Sequence, residues 1–153
     1  MSKLKEAIAY ILKHYPHKDH LSNARVTKML YLADWHQAIN RKLQITDVHW
    51  YFDNYGPFVS DIKKEIESHP EMFSSIDTHN FYGQTKTLFS MKNKHYEPCL
   101  SDDQKQSLQH IIDVTEKLTW NDFIRLVYST YPITSSSRYS YLDIVEKAKE
   151  YAA

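Results

Sequence analysis

Nine histidines in a chain of 153 residues raise metal chemistry first. The sharpest grouping is His14-x-x-His17-x-x-His20, with Asp19 beside it. A zinc site needs its ligands on one rigid surface, each oriented by an outer partner. Pro16 ends a helix after Tyr15, so His14 falls at a helix end while His17 and His20 fall on a polar connector with no fixed common face. We expect a solvated loop there, with no metal and no cofactor. The one cysteine, Cys99, has His95 and His110 nearest in sequence, but it follows Pro98 just before a helix-capping signal. It reads as a small apolar residue tucked beside a helix start, not as a nucleophile. Gly56 and Gly83 are the only glycines, so the chain has no Gly-x-Ser-x-Gly elbow, no phosphate-cradling loop and no dinucleotide fingerprint. Of the carboxylates Asp34, Asp47, Asp53, Asp61 and Glu65, the last two sit one helical turn apart, yet Lys63 and Lys64 lie between them as on a solvated face. No catalytic set is assembled, and the expectation is a protein that is not an enzyme.

Aromatic side chains are abundant instead, with 12 Tyr, 6 Phe and 3 Trp. Tyr and Trp join an apolar body to a polar tip, which suits half-buried core positions and protein interfaces alike. They are densest across residues 48–55, where Val48, Trp50 and Phe52 alternate with His49, Tyr51 and Asp53. That period of two predicts a half-buried strand with Tyr51, Asp53 and Tyr55 turned outward. The reversed assignment, with Trp50 outward, stands beside it.

The surrounding elements must hold this strand. Leu4, Ile8, Ile11, Leu12 and Tyr15 predict a first helix ending at Pro16. A second begins near Ser22 or Asn23 and runs through Val26, Met29, Leu30, Ala33 and Ile39 to about Asn40. Leu32 and Trp35 widen its apolar face, as in a central helix touched from several sides. Asn54-Tyr55-Gly56-Pro57 breaks the strand, and Pro57 is placed in the first turn of a helix carrying Val59, Ile62 and Ile66 up to Pro70. Residues 73–80 and 85–91 read as a hairpin around residues 81–84. Three capping boxes, Ser101 with Gln104, Thr119 with Asp122 and Ser140 with Asp143, announce three further helices. Their stripes begin at Leu108, Phe123 and Leu142, and Pro132 closes the middle one. The fold class is α+β and mostly α: about six helices with a small antiparallel sheet or hairpin, in one domain over residues 1–153.

Lys plus Arg and Asp plus Glu both number 19, so the formal charge is zero and no field gathers a polyanion. Nucleic acid is not an expected partner. The N-terminal twenty residues lack a signal peptide's apolar core, and no apolar run reaches the roughly 20 residues of a membrane helix. With a lone thiol, these features predict a cytoplasmic protein without a membrane partner.

One segment carries a resemblance: Lys28-Met29-Leu30-Tyr31-Leu32-Ala33-Asp34-Trp35-His36, then Ile45-Thr46-Asp47, then Trp50 through Tyr55-Gly56-Pro57, and Val59 and Ile62. It resembles the Panacea, or SocA-like, antitoxin domain, whose pattern is a K-x-L-Y-x-A-D-like helix, a "pIT" turn, an aromatic strand and a Y-G-P or similar G-P step into a helix. Met29 stands where that pattern usually has leucine. The likeness is clear over residues 26–67 and continues in layout alone toward residue 151. It implies a bacterial or phage toxin–antitoxin role: neutralising a cognate toxin protein by direct binding. A relative that delivers its toxin to a protease implies an adaptor as the alternative, a small hydrolase is the third reading, and self-association stays open. On that resemblance the partner-binding residues are Asp34, Trp35, Trp50, Tyr51, Asp53, Asn54 and Tyr55, with Gly56 and Pro57 as the structural turn.

Overall fold

The computed structural model describes residues 2–79 and 82–153. Helix α1 (Leu4–His14) stops because Tyr15, at φ −67° and ψ 124°, takes the extended conformation that a following proline favours. After a 3-10 turn at Lys18–His20, Ser22 opens helix α2 (Asn23–Arg41) by accepting the Arg25 N–H at 3.1 Å. Lys42 closes α2 in the left-handed region at φ 64°. Every residue over 25–35 is buried, as in a helix enclosed on all sides, whereas Ile39, expected in its apolar stripe, is exposed.

Strand β1 (Tyr51–Asp53) is shorter than the expected 48–53, but the burial alternation covers the whole stretch: Val48, Trp50 and Phe52 are buried, and Tyr51 and Asp53 are not. Gly56 and Pro57 form β2, an edge strand paired antiparallel to β1 through Phe52–Pro57 and Asp53–Gly56. This corrects the placement of Pro57 in a helix. An edge strand tolerates proline because its missing N–H is not needed by a neighbour, and helix α3 (Asp61–Glu67) starts only after Ser60. Gly56 sits at φ 101°, and a Cβ there would lie 3.5 Å from the Tyr128 ring.

Strands β3 (Phe73–His79) and β4 (Thr85–Met91) pair in register from Phe73–Met91 to His79–Thr85. Asn80, at the end of the expected first strand, and Phe81, in the expected hairpin tip, lie outside the described residues. Helix α4 (Asp102–Thr115) has the full reciprocal capping box of Ser101 and Gln104, and α5 (Trp120–Ser129) is capped by Thr119. Pro132 does not simply end that run; it stands at the start of a short helix α6 (Tyr131–Thr134), where a missing N–H is harmless. Ser140 is likewise not a cap. Ser140 and Tyr141 form β5, paired to β1 through Tyr51–Tyr141, and Asp143 caps α7 (Ile144–Ala152) by accepting the Glu146 N–H.

The described residues thus hold seven α-helices and two small antiparallel sheets, ordered β2-β1-β5 and β3-β4. The class is α+β, mostly α. Helix α2 is the axis, packed by α1, α4, α7 and β4. Trp50, Tyr15, Tyr31, Phe89 and Phe123 are the largest wholly buried side chains, in one contiguous apolar cluster. Buried Glu6 on α1 accepts the Tyr96 hydroxyl on both oxygens, at 2.6 and 2.8 Å, and the Cys99 N–H at 2.7 Å. Cys99 itself is exposed, and Pro98 takes the buried position expected for it.

Candidate functional site

Asp34 is wholly buried on α2, and its carboxylate organises the connector into β1. One oxygen accepts the Ile45 and Thr46 N–H groups at 2.9 and 3.0 Å. The other accepts the Thr46 hydroxyl at 2.5 Å, the Trp50 indole N–H at 2.8 Å and the Gln44 amide at 3.2 Å. Burial pushes the carboxyl up to about 6, against the lowering effect of these hydrogen bonds, so it is ionised at neutral pH. Trp50, 0% exposed, meets Tyr31 edge-on at 5.6 Å, and the Tyr31 hydroxyl is hydrogen-bonded to Thr130 at 2.8 Å. The Asp-helix, the Ile45-Thr46 turn and the aromatic strand of the sequence pattern are therefore one hydrogen-bonded knot.

On the outer side of that knot lies the three-stranded sheet. Tyr51 packs edge-on against Tyr141 with ring centroids 5.0 Å apart, and the Tyr139 hydroxyl donates to Asn54 at 2.5 Å. Tyr55, at the turn, is 81% exposed, Tyr141 74% and Tyr139 62%. Large aromatics left in solvent this close together form an apolar patch with hydroxyls at its edges, the composition favoured at protein interfaces.

Beside the turn, a cavity of about 540 Å³ opens between α2 and α5. Asp53, Asn54 and Tyr55 line it from the turn, Trp120 and Tyr128 from α5, and Lys28 from α2. Lys28 is 3% exposed, and burial in these apolar surroundings lowers the pKa of its ammonium. Past Trp120 a second cleft of about 730 Å³ continues between the N-terminal ends of α2 and α5 and residues 85–87 of β4.

The structure therefore brings Asp53, Asn54 and Tyr55 together at a cavity mouth, with Tyr51 on the adjoining sheet face. It places Asp34 and Trp50 elsewhere. Both are enclosed, which settles the two assignments of the strand in favour of Trp50 inward. Trp35 is 7% exposed beneath Tyr151, at 5.5 Å. Gly56 and Pro57 form the turn exit as a strand. Tyr139, Tyr141, Trp120 and Tyr128 were not anticipated, because they lie far along the chain and no local pattern joins them to residue 53; Lys28 stood in the sequence motif without an assigned role.

The remaining reactive groups stay apart. His17 pairs with Glu116 at 3.0 Å, while Glu65 meets His69 at 3.2 Å on the surface of α3. Among the described residues no group of three or more His, Cys, Asp or Glu side chains is placed to hold a metal ion, and no helix is long and apolar enough to cross a membrane.

No curated protein and no solved structure matches the chain. The family model of the antitoxin SocA-like, Panacea domain matches residues 26–132, from the first turn of α2 into α6, and so takes in the Asp34 knot, the β1–β2 turn and all of the cavity's lining but Ala24. The chain belongs to the SocA-like Panacea antitoxin domain family.

Proposed function

We propose that this protein is a cytoplasmic antitoxin that neutralises a cognate toxin protein by direct binding, without catalysis, and acts as a single domain. The observation that carries the reading is the family match, joined to a patch of exposed tyrosines beside a cavity at the β1–β2 turn. Blocking a toxin calls for roughly 1,200–2,000 Å² of total buried surface and a few aromatic anchors. Tyr55, Tyr139 and Tyr141 supply the anchors, Tyr51, Asp53 and Asn54 the polar surroundings, and the buried Asp34–Trp50 knot a rigid support beneath them. Trp35 acts with that support, under α7.

Co-expression with the product of the neighbouring reading frame tests this. The expected result is rescue of growth with co-elution of the two proteins, and loss of rescue in folded Tyr55→Ala, Tyr141→Ala and Asp53→Arg variants. Truncating a central anchor weakens binding by about 2 kcal/mol or more. Rescue that needs a cellular protease would replace blocking by proteolytic delivery, and absence of rescue by the wild-type protein would remove the antitoxin reading.

A further inference from the structure

Two cations on the same face of α2 are buried with no carboxylate partner among the described residues. Arg25 and Lys28 stand at i and i+3, and are 7% and 3% exposed. Arg25 donates to the neutral Tyr15 hydroxyl at 3.3 Å and lies over the Trp120 and Phe123 rings at 5.3 and 5.0 Å. Lys28 has neither a side-chain hydrogen bond nor an ion pair among the described residues. Every wholly enclosed side-chain nitrogen or oxygen among those residues has a partner, so the Lys28 ammonium is open to the cavity it lines. Asp53 shares the cavity, but it makes no ion pair with Lys28 and instead accepts the Asn54 N–H at 2.9 Å. An ammonium held in an apolar wall without a counter-ion is unfavourable in the free protein and becomes favourable when a ligand supplies the anion.

We propose that this cavity, with the cleft past Trp120, receives a segment of the partner protein in which a carboxylate beside an aromatic or aliphatic side chain pairs with Lys28. The protein source of that carboxylate rests on the antitoxin reading; the chemistry of the pocket does not. A monoanion fits because one ammonium faces the cavity while Asp53 at its mouth repels a phosphate dianion. An apolar neighbour fits because Ala24, Tyr55, Phe58, Trp120, Ile124 and Tyr128 are six of the nine residues that line the cavity. An extended segment fits because the two clefts run into one another, sharing Ala24, Phe58 and Trp120. Arg25 lines the second cleft and offers a further positive charge along the same path.

The full chain, labelled with nitrogen-15, is titrated with N-acetyl-phenylalanine and with its carboxamide, following amide shifts of Ala24, Phe58 and Ile124. The acid is expected to bind with a dissociation constant on the order of 1 mM, as suits so small a ligand, and the uncharged amide about tenfold more weakly. Lys28→Met should abolish the difference and Lys28→Arg should keep it. Equal affinity for acid and amide, or preferential saturation of the same residues by inorganic phosphate, overturns the proposal. In a second arm, Lys28→Met should weaken the complex with the neighbouring reading frame's product by about tenfold or more. If that complex forms with unchanged affinity, the partner's carboxylate is not in this pocket while the antitoxin reading stands. If the wild-type protein forms no complex, the antitoxin reading and the proposed protein source fall together, and the acid–amide comparison still judges the pocket.

Discussion

Asp34 and Lys28 lie on one helix, six positions apart, and both are ionisable groups inside the protein, yet their surroundings are opposite. Asp34 receives five donors drawn from Gln44, Ile45, Thr46 and Trp50. Lys28 has no side-chain partner among the described residues and borders an open cavity. A buried charge that the fold itself satisfies specifies structure, because removing it strands its partners. A buried charge that the fold leaves unsatisfied is kept at a loss of stability, and under the proposal above a ligand's charge is the reason to keep it. The two ends of the family's helix pattern thus differ: the aspartate end fixes the connector into β1, and the lysine end faces an open cavity.

The largest effect is expected at the satisfied end. Asp34→Asn replaces an acceptor by a donor facing other donors, and should destabilise the protein by about 3 kcal/mol or more in urea unfolding. The pH dependence refines the same point. The folded carboxyl, at about 6, lies above its ordinary value of 3.8. Between those values the native state binds a proton that the unfolded state does not, so this group's contribution makes stability rise as the pH falls from 7 towards 4. The difference between wild type and Asp34→Asn should therefore grow over that window, by up to about 3 kcal/mol. A flat difference would mean that the hydrogen bonds fully offset burial.

Gly56→Val should come next, at about 2 kcal/mol, because a β-branched residue is strained at φ 101° and meets Tyr128. A loss within about 0.5 kcal/mol would show that the turn is not tight. Smallest of all are the exposed tyrosines. Tyr55→Ala and Tyr141→Ala should each melt within about 0.5 kcal/mol of wild type, and a larger loss would make these side chains part of the fold instead of a free surface.

How much of this could be read from the sequence depended on whether the deciding contact was local. The stripe from Leu4 to Tyr15 with Pro16 after it, and Ser22 ahead of Val26, fixed α1 and α2 almost to the residue. Alternation over residues 48–53 gave the correct inward set even though the ladder itself spans only Tyr51–Asp53. Pro57 and Ser140 misled because a proline near a helix start and a serine three residues before an acid are sound local signals; pairing with β1 overrode both. Trp50 and Asp34 enter the partner-binding set through the family pattern, and the structure places both in the knot beneath the surface. The cavity was out of reach, since Trp120 and Tyr128 arrive from α5, and nothing in residue type tells a solvated lysine from Lys28.

The claim that the two ends of α2 do opposite work is tested most directly by melting Lys28→Met and Asp34→Asn beside the wild type at pH 7. Removing an unpartnered buried ammonium should stabilise the fold by about 1 kcal/mol, raising Tm by about 2–4 °C, while Asp34→Asn lowers it well below wild type. If Lys28→Met also melts below wild type, the lysine is a satisfied part of the fold, and the contrast between the two ends does not hold.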